Sequence, residues 1–71
     1  MASRARLLLG KRLRQLRKRY GYTQQAVAEK SGLDYKYYQR IEGKRPPNVT
    51  IDSLECLANA FHISLSALLK F

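Results

Sequence analysis

The sequence is poor in cysteine, histidine and acidic side chains. Its single cysteine, Cys56, excludes an internal disulfide, and with one histidine the chain cannot assemble a zinc site, so we expect no metal and no cofactor. A lone thiol also favours a cytoplasmic location. Only 5 acidic residues oppose 14 lysines and arginines, and the resulting net charge of +9 indicates a polyanionic partner.

Long apolar runs are also missing. No run approaches the roughly 18 residues that span a bilayer, and the leucines at 7–9 form too short a run, flanked by arginines, for a signal peptide. Sequence signals of catalysis are absent as well, because no glycine-rich phosphate loop and no nucleophile–base pair can be identified. We therefore expect neither an enzyme, nor a small-molecule site, nor a membrane partner.

The positive charge is concentrated in one part of the chain. Residues 1–45 contain 13 basic and 3 acidic residues, a net charge of +10, whereas residues 46–71 carry −1. One part is thus expected to face an anion and the other is not. A membrane-active amphipathic helix over residues 4–20 is an alternative, but it would leave the helix signals further along the chain without a purpose.

Apolar side chains recur at helical spacing in two long segments. Leu9, Leu13, Leu16 and Tyr20 follow one another at intervals of four, three and four residues, so they share one face of a helix. The second segment has a similar stripe, which comprises Ile51, Leu54, Leu57, Ala58 and Phe61. No segment has the alternation of a β-strand, so the sequence predicts an all-α fold.

Turn and capping residues divide the chain into helices. Gly21 and Gly32 are suited to left-handed helix ends, and His62 is expected to adopt the same conformation. Side chains that favour N-caps precede four helices, namely Thr23, Asp34, Thr50 and Ser64. Together these signals predict a single domain over residues 1–71 whose helices span about 3–20, 24–31, 35–42, 51–61 and 65–69.

The second and third helices have the spacing of a helix-turn-helix. With Gln24 as the first position, Ala28 is the fifth, Gly32 the ninth, Tyr38 the fifteenth and Ile41 the eighteenth. A small residue at 28 allows the third helix to approach, glycine at 32 makes the turn, and the last two side chains point into the core. In this arrangement Lys36, Gln39 and Arg40 lie on the opposite, outward side of the third helix.

The segments LRQLRKRYGYTQQAVAEKSGLDYKYYQRIEGKR and SLECLANAFHISLSALL resemble the lambda-repressor-like, phage Cro-type (XRE) helix-turn-helix regulators. The resemblance extends from about Leu9 to Leu69. It implies a five-helix DNA-binding domain of a bacterial or phage transcriptional regulator, which binds a specific double-stranded DNA sequence, usually as a homodimer.

The resemblance also implies roles for individual residues. Gln24 matches a residue that usually contacts a DNA phosphate, and Arg17 and Glu42 match a partly buried ion pair between the first and third helices. Tyr38 departs from the family pattern, which has valine or isoleucine there. We therefore expect either an enlarged core at this position or a tyrosine hydroxyl that reaches water.

The outward side of the third helix is the predicted DNA-reading surface. Arginine and lysine suit guanine, glutamine suits adenine, and a tyrosine at the helix start can reach a base edge. The predicted base contacts are Tyr35, Lys36, Gln39 and Arg40. The predicted phosphate contacts are Thr23, Gln24, Tyr37, Lys44 and Arg45. Most of the remaining arginines of the first helix are expected to add only long-range attraction; they are Arg4, Arg6, Arg12, Arg14 and Arg19.

One such helix contacts too few base pairs to select a genomic site, so two copies are expected to bind a palindrome. Leucines and a phenylalanine near the C-terminal end exceed what a short helix needs for its own core. The predicted dimer interface comprises Leu65, Leu68, Leu69 and Phe71, and the alternative is that these side chains are only core and a frayed end. The rival function is a protein-interaction module, such as an antitoxin or antirepressor, and an antagonist protein is a further predicted partner.

Overall fold

The computed structural model describes residues 3–71 of the chain. These residues contain five α-helices and no β-strand. The helices are α1 (Arg4–Tyr20), α2 (Gln24–Ser31), α3 (Tyr35–Ile41), α4 (Ile51–Ala60) and α5 (Leu65–Leu68). The all-α prediction is confirmed. Residues 1 and 2, which the predicted domain includes, lie outside the described residues. Within residues 3–71, no helix is both long and apolar enough to cross a membrane.

Each helix begins after a side chain that caps it. The oxygens of Ser3, Thr23, Asp34, Thr50 and Ser64 each accept the backbone N–H three residues further along. Each cap satisfies one of the N–H groups that the first turn of a helix leaves without a partner. The last predicted residue of α3, α4 and α5 is in each case the C-cap, so these helices end one residue earlier than predicted.

Left-handed residues end three of the helical segments. Gly21 and Gly32 both have φ of +72°, and His62, just after α4, has φ of +57°. Glycine adopts this conformation without a steric penalty, whereas histidine is one of the side chains that tolerate it. All three predicted positions are confirmed, and each reverses the chain so that the next helix packs back on the previous ones.

All five helices contribute to one core. In the packing, α2 contacts α3 and α4, α4 contacts α5, and α1 lies against α3. The buried apolar side chains are Leu9, Leu13, Leu16, Val27, Ala28, Tyr38, Ile41, Leu57, Ala58, Phe61 and Leu68. Tyr20, predicted on the core face of α1, is partly exposed, but its hydroxyl donates to the Phe61 carbonyl at 2.9 Å.

Two predictions about apolar residues are wrong. The periodicity places Ile51 in the apolar stripe of α4, but its side chain is 67 % exposed. It is the first residue of that helix, and periodicity alone cannot tell whether a neighbouring helix still covers the end of a stripe. The sequence predicts Leu68 at a dimer interface, but it is fully buried within the single chain. Because α5 has barely one turn, this leucine is needed to attach it to the core.

An arginine of α1 holds the C-terminal end of α5. The Arg12 guanidinium donates to the carbonyl oxygens of Ala67 at 2.9 Å and Leu68 at 3.3 Å. These carbonyls belong to the last turn, whose C=O groups lack the regular N–H donors of a helix interior. Arg12 therefore has a structural role, and its predicted contribution to long-range attraction is secondary.

A glycine inside α1 allows a close backbone contact. Gly10 is buried, and a Cβ atom at this position would lie 2.6 Å from the carbonyl oxygen of Ile41, at the end of α3. Glycine normally weakens a helix interior, so its presence here reflects packing and not helix propensity. The distance between α1 and the end of α3 is set by this contact.

Gly10→Ala is expected to destabilise the fold. Alanine would gain about 0.5 to 1 kcal/mol in helix propensity. Overpacking against a backbone atom costs about 1 to 3 kcal/mol, since a carbonyl held by α3 cannot turn aside as a flexible side chain can. We expect a net decrease of about 1 to 2 kcal/mol in the free energy of unfolding, measured by urea denaturation.

Gln15→Ala is the matched control, because Gln15 lies on the exposed side of the same helix. It is expected to change the free energy of unfolding by less than about 0.5 kcal/mol. An increase in stability for Gly10→Ala would show that helix propensity outweighs the close contact.

Candidate nucleic-acid interface

Helix α3 has one fully buried side and one exposed side. Tyr38 and Ile41 are completely buried, whereas Lys36, Gln39 and Arg40 are exposed. The predicted orientation of the helix is therefore confirmed. Its outer side presents two cations and one amide. These groups donate hydrogen bonds that the acceptors of base edges and phosphates can receive.

The turn between α2 and α3 fixes the position of α3. The N–H groups of Gly32 and Leu33 donate to the carbonyls of Glu29 at 3.2 Å and Ala28 at 3.0 Å. Two such bonds around a left-handed glycine form a Schellman motif, which ends a helix with a defined exit direction. The Asp34 side chain then accepts the Tyr37 N–H at 3.1 Å, so only two residues separate the glycine from the first residue of the next helix.

A positively charged groove runs along the outer side of α3. It has a volume of about 550 Å³ and is lined by Lys36, Gln39, Arg40, Gly43, Lys44 and Arg45. Four of these six residues are cations and none is acidic. The fold therefore brings three of the four predicted base contacts together with the two predicted phosphate contacts of the following loop, whereas Tyr35 does not line this groove.

Behind this surface lies a buried carboxylate, that of Glu42. Its side chain is 2 % exposed, and Arg17 donates to both of its oxygens, from Nε at 2.9 Å and from Nη2 at 3.1 Å. Gln24 donates to Oε1 at 3.2 Å and the Tyr38 hydroxyl donates to Oε2. The ion pair that the family resemblance implied is thus present, and it is part of a network that links α1, α2 and α3.

Of the two alternatives expected for Tyr38, the structure has the enlarged core, because this large side chain is fully buried among the core residues. Its hydroxyl does not reach water and instead donates to Glu42. A sequence signal for this contact existed, since residues four apart lie on the same face of a helix. Burial raises the pKa of Tyr38, and the hydrogen bond to the carboxylate raises it further.

The hydrogen bonds decide the protonation of Glu42. Burial acts to raise the pKa of this carboxyl, but the hydrogen bonds from Arg17, Tyr38 and Gln24 together hold it below its ordinary value of 4.5. In turn the carboxylate raises the pKa of Arg17. The ionised pair is therefore the stable form of this network at neutral pH.

Three of the predicted phosphate contacts already have intramolecular partners. The Gln24 amide donates one hydrogen to Glu42, and the Thr23 hydroxyl accepts the Ala26 N–H at 3.0 Å. The partly buried Tyr37 has its hydroxyl 3.5 Å from the Asn48 carbonyl. Their contacts to phosphate remain predictions. An amide NH₂ group has two donors, so the second hydrogen of Gln24 is not used by Glu42.

Arg14 is a structural contact that the sequence reasoning did not identify. Its guanidinium donates to the Glu42 carbonyl at 2.6 Å, and its Nε atom lies 3.7 Å from the Glu42 carboxylate. In the sequence it is one of several similar arginines, so no local signal distinguishes it. Within residues 3–71, no three histidine, cysteine or acidic side chains lie close enough to hold a metal ion.

Two curated relatives are similar over most of the chain. The HTH-type transcriptional regulator SinR of Bacillus licheniformis is 34 % identical over 63 residues, which cover 89 % of this chain and 57 % of that protein. SinR of Bacillus subtilis (strain 168) is 34 % identical over 62 residues, which cover 87 % and 56 % respectively. The chain therefore spans little more than half the length of these relatives.

Two solved structures have the same fold. The restriction-modification controller protein C.AhdI from Aeromonas hydrophila superposes with a TM-score of 0.82 at 35 % identity, covering 89 % of this chain and 94 % of that one. A mutant of the restriction-modification controller protein C.Esp1396I superposes with a TM-score of 0.86 at 29 % identity, covering 96 % and 85 %. The similarity thus covers most of the chain in both cases.

The state of Glu42 makes stability depend on pH. Its pKa is lower in the folded state, so its ionised form stabilises the fold above about pH 4.5, and this contribution is lost as the pH falls through the lowered pKa. We expect Glu42→Gln to lower the free energy of unfolding by about 3 kcal/mol at pH 7. Urea denaturation between pH 7 and pH 2 should also show a smaller decrease with acidification than in the wild type.

Glu55→Gln is the control, because Glu55 is an exposed residue of α4. This variant should follow the wild-type pH profile. An equally steep acid profile for Glu42→Gln would contradict the role assigned to the buried carboxylate.

The match to a protein-family model agrees with the geometry of α2 and α3. Residues 10–70 match the model of a helix-turn-helix domain. This range includes both helices, the turn between them and the whole network around Glu42. The chain therefore belongs to the XRE-type helix-turn-helix domain family.

Proposed function

We propose that the chain is a transcriptional regulator that binds a specific double-stranded DNA sequence with α3 in the major groove. The observation that carries this proposal is that α3 has a buried and an exposed side. Tyr38 and Ile41 are fully buried, whereas Lys36, Gln39 and Arg40 are exposed. Seven residues at 1.5 Å per residue give a helix about 10 Å long, comparable with the roughly 12 Å width of the groove.

Base recognition is assigned to the four exposed side chains of α3. Arg40 and Lys36 suit the O6 and N7 acceptors of guanine, and Gln39 suits the donor and acceptor pair of adenine. Tyr35, which is exposed at the start of the helix, is suited to a base edge or a thymine methyl group. Because these groups differ in chemistry, the helix can distinguish a sequence and not merely attract a polyanion.

Phosphate binding is assigned to residues of the loop after α3 and of the N-terminal end of α2. Lys44 and Arg45 lie in the same groove as the side chains assigned to base contacts. The N-terminal end of α2 offers backbone N–H groups, and anions are stabilised at such helix ends. Thr23, Gln24 and Tyr37 complete this set, with the unused amide hydrogen of Gln24 as one donor.

The relatives support a DNA-binding regulator and not an enzyme. Two are transcriptional regulators by name, and the two similar structures are restriction-modification controllers. A cytoplasmic location and an antagonist protein belong to the same proposal. The rival function, a protein-interaction module, is an outcome of the binding test below.

A homodimer is part of the proposal. Leu69 and Phe71 are 39 % and 51 % exposed, and with Val49 and Leu54 they form the apolar part of a groove of about 360 Å³ that Arg6 and Asn48 also line. Leu65 is partly buried against the core. A second copy covering this surface would place two α3 helices on palindromic half-sites, about 34 Å apart on one side of the duplex.

Arg40→Ala is expected to relax the preference at one base position, at a cost of about 1 to 3 kcal/mol against the selected site. Gln24→Ala should instead weaken binding evenly across sequences, because a phosphate contact carries no sequence information. Selection from random duplexes with the wild type, followed by titration of each variant on the selected site and its single-base variants, measures both effects.

If both variants lose binding affinity evenly across all DNA sequences, the division into base and phosphate contacts is contradicted. Selection that returns no enriched sequence would favour the protein-interaction module.

Leu69→Glu combined with Phe71→Glu is expected to dissociate the dimer. Burial of unpaired carboxylates in an apolar interface costs several kcal/mol, so the dissociation constant should rise by at least about tenfold. Sedimentation equilibrium measures it. Lys70→Glu, at the exposed position between them, is the control and should leave the association unchanged. If the double variant and the wild type have equal dissociation constants, this surface is not the dimer interface.

A further inference from the structure

The Glu42 carboxylate accepts two hydrogen bonds on each of its oxygens. Oε2 accepts from Arg17 Nε at 2.9 Å and from the Tyr38 hydroxyl. Oε1 accepts from Arg17 Nη2 at 3.1 Å and from Gln24 Nε2 at 3.2 Å. Because a carboxylate has about four lone-pair sites for hydrogen bonds, these donors fill it. Removal of any one of them leaves a buried acceptor site open.

The donors around Glu42 differ in how firmly they are held. Arg17 donates to both carboxylate oxygens, so it cannot turn toward one without losing the other. Arg14 is held by its hydrogen bond to the Glu42 carbonyl at 2.6 Å. Gln24 is only partly buried and gives the carboxylate a single hydrogen. If the Tyr38 hydroxyl were missing, the Gln24 amide is therefore the donor that could shift to fill the open site.

The carboxylate also sets the orientation of the Gln24 amide. A carboxylate only accepts hydrogen bonds, so the amide must turn its nitrogen, and not its oxygen, toward Glu42. The second N–H of that nitrogen then points away from the carboxylate. Gln24 is the first residue of α2, beside backbone N–H groups that the first turn of a helix leaves without an internal partner. The side chain thus presents a further donor at the helix end to which phosphate binding is assigned.

Tyr38 provides a contact that the family pattern lacks. The pattern has valine or isoleucine at this position, and neither side chain can donate a hydrogen bond. The Tyr38 side chain is fully buried, so its hydroxyl depends on Glu42 for a partner. A residue that touches no DNA can in this way decide how a DNA contact is presented.

We propose that Tyr38 is a positioning residue for DNA binding. Its hydroxyl fills one site on Glu42, so that the carboxylate holds the Gln24 amide with its second N–H directed to a phosphate. This inference rests on the proposed DNA binding and adds to it a buried residue that contacts neither base nor phosphate. Because the amide is oriented before DNA arrives, less conformational entropy is lost on binding.

Tyr38→Phe tests the proposal, because it removes the hydroxyl and keeps the ring. Binding is titrated on the selected duplex and on duplexes with a neutral methylphosphonate at single positions. The phosphate of Gln24 is the one at which Gln24→Ala loses the wild-type sensitivity. Tyr38→Phe should weaken binding by about twofold to tenfold, the equivalent of one hydrogen bond. It should lose sensitivity at that same phosphate and keep the wild-type base preference.

A double-mutant cycle separates positioning from a loss of stability. In the Gln24→Ala protein, Tyr38→Phe should have no further effect on affinity, because no amide is left to orient. A merely structural loss would weaken binding to every duplex alike, both with and without Gln24. Tyr38→Ile, which introduces a residue of the family pattern, also lacks the hydroxyl and should give the same result. It decides the question if Tyr38→Phe does not fold.

Tyr20→Phe is the matched control. It makes the same change at a tyrosine outside the Glu42 network, whose hydroxyl donates to the Phe61 carbonyl at 2.9 Å. This variant should keep the wild-type affinity and the wild-type methylphosphonate pattern.

A methylphosphonate pattern for Tyr38→Phe that matches that of Tyr20→Phe would overturn the inference. It would also be overturned if Tyr38→Phe lowers affinity equally with and without Gln24, or if Gln24→Ala keeps its sensitivity at every phosphate. If Arg40→Ala still changes base preference in these cases, the proposed function stands and only the positioning role fails. If the wild type binds no duplex at all, the proposed function fails together with it.

Discussion

The buried carboxylate of Glu42 is the interaction on which the arrangement of the helices depends. Arg17 from α1, Gln24 from α2 and Tyr38 from α3 all donate to it. A carboxylate that is 2 % exposed must have such partners, since an unpaired buried charge is very costly. Each donor comes from a different helix, so the need to satisfy one acid fixes α3 relative to its neighbours.

The same network connects stability with the proposed function. Tyr38 lies behind the surface assigned to DNA and Gln24 is one of its proposed phosphate contacts, and neither can move without depriving the carboxylate of a hydrogen-bond donor. The outer side chains of α3 are therefore displayed by a rigid support, which lowers the entropy lost on binding. A domain of 71 residues has a small core, and a specific polar contact here supplies orientation that apolar packing alone does not.

The excess of cations serves two purposes. Arg12 closes α5, Arg14 bonds the end of α3, and Arg17 neutralises Glu42. The cations of α3 and of its following loop instead line an open groove without an acidic residue. Net charge alone indicates attraction to a polyanion, but the distribution of hydrogen bonds separates the arginines that hold the fold from the cations left for a partner.

The sequence by itself determined the helices, their caps and the orientation of α3, because periodicity and capping act between residues three or four positions apart. The tertiary structure alone decided the contacts between distant residues. Arg12 meets Leu68 across 56 positions, Gln24 meets Glu42 across 18, and Gly10 lies against the backbone of Ile41. It also decided that Leu68 is buried while Leu69 and Ile51 are exposed. A helical stripe specifies which side is apolar, but only the packed neighbours decide how far along the helix that side is covered.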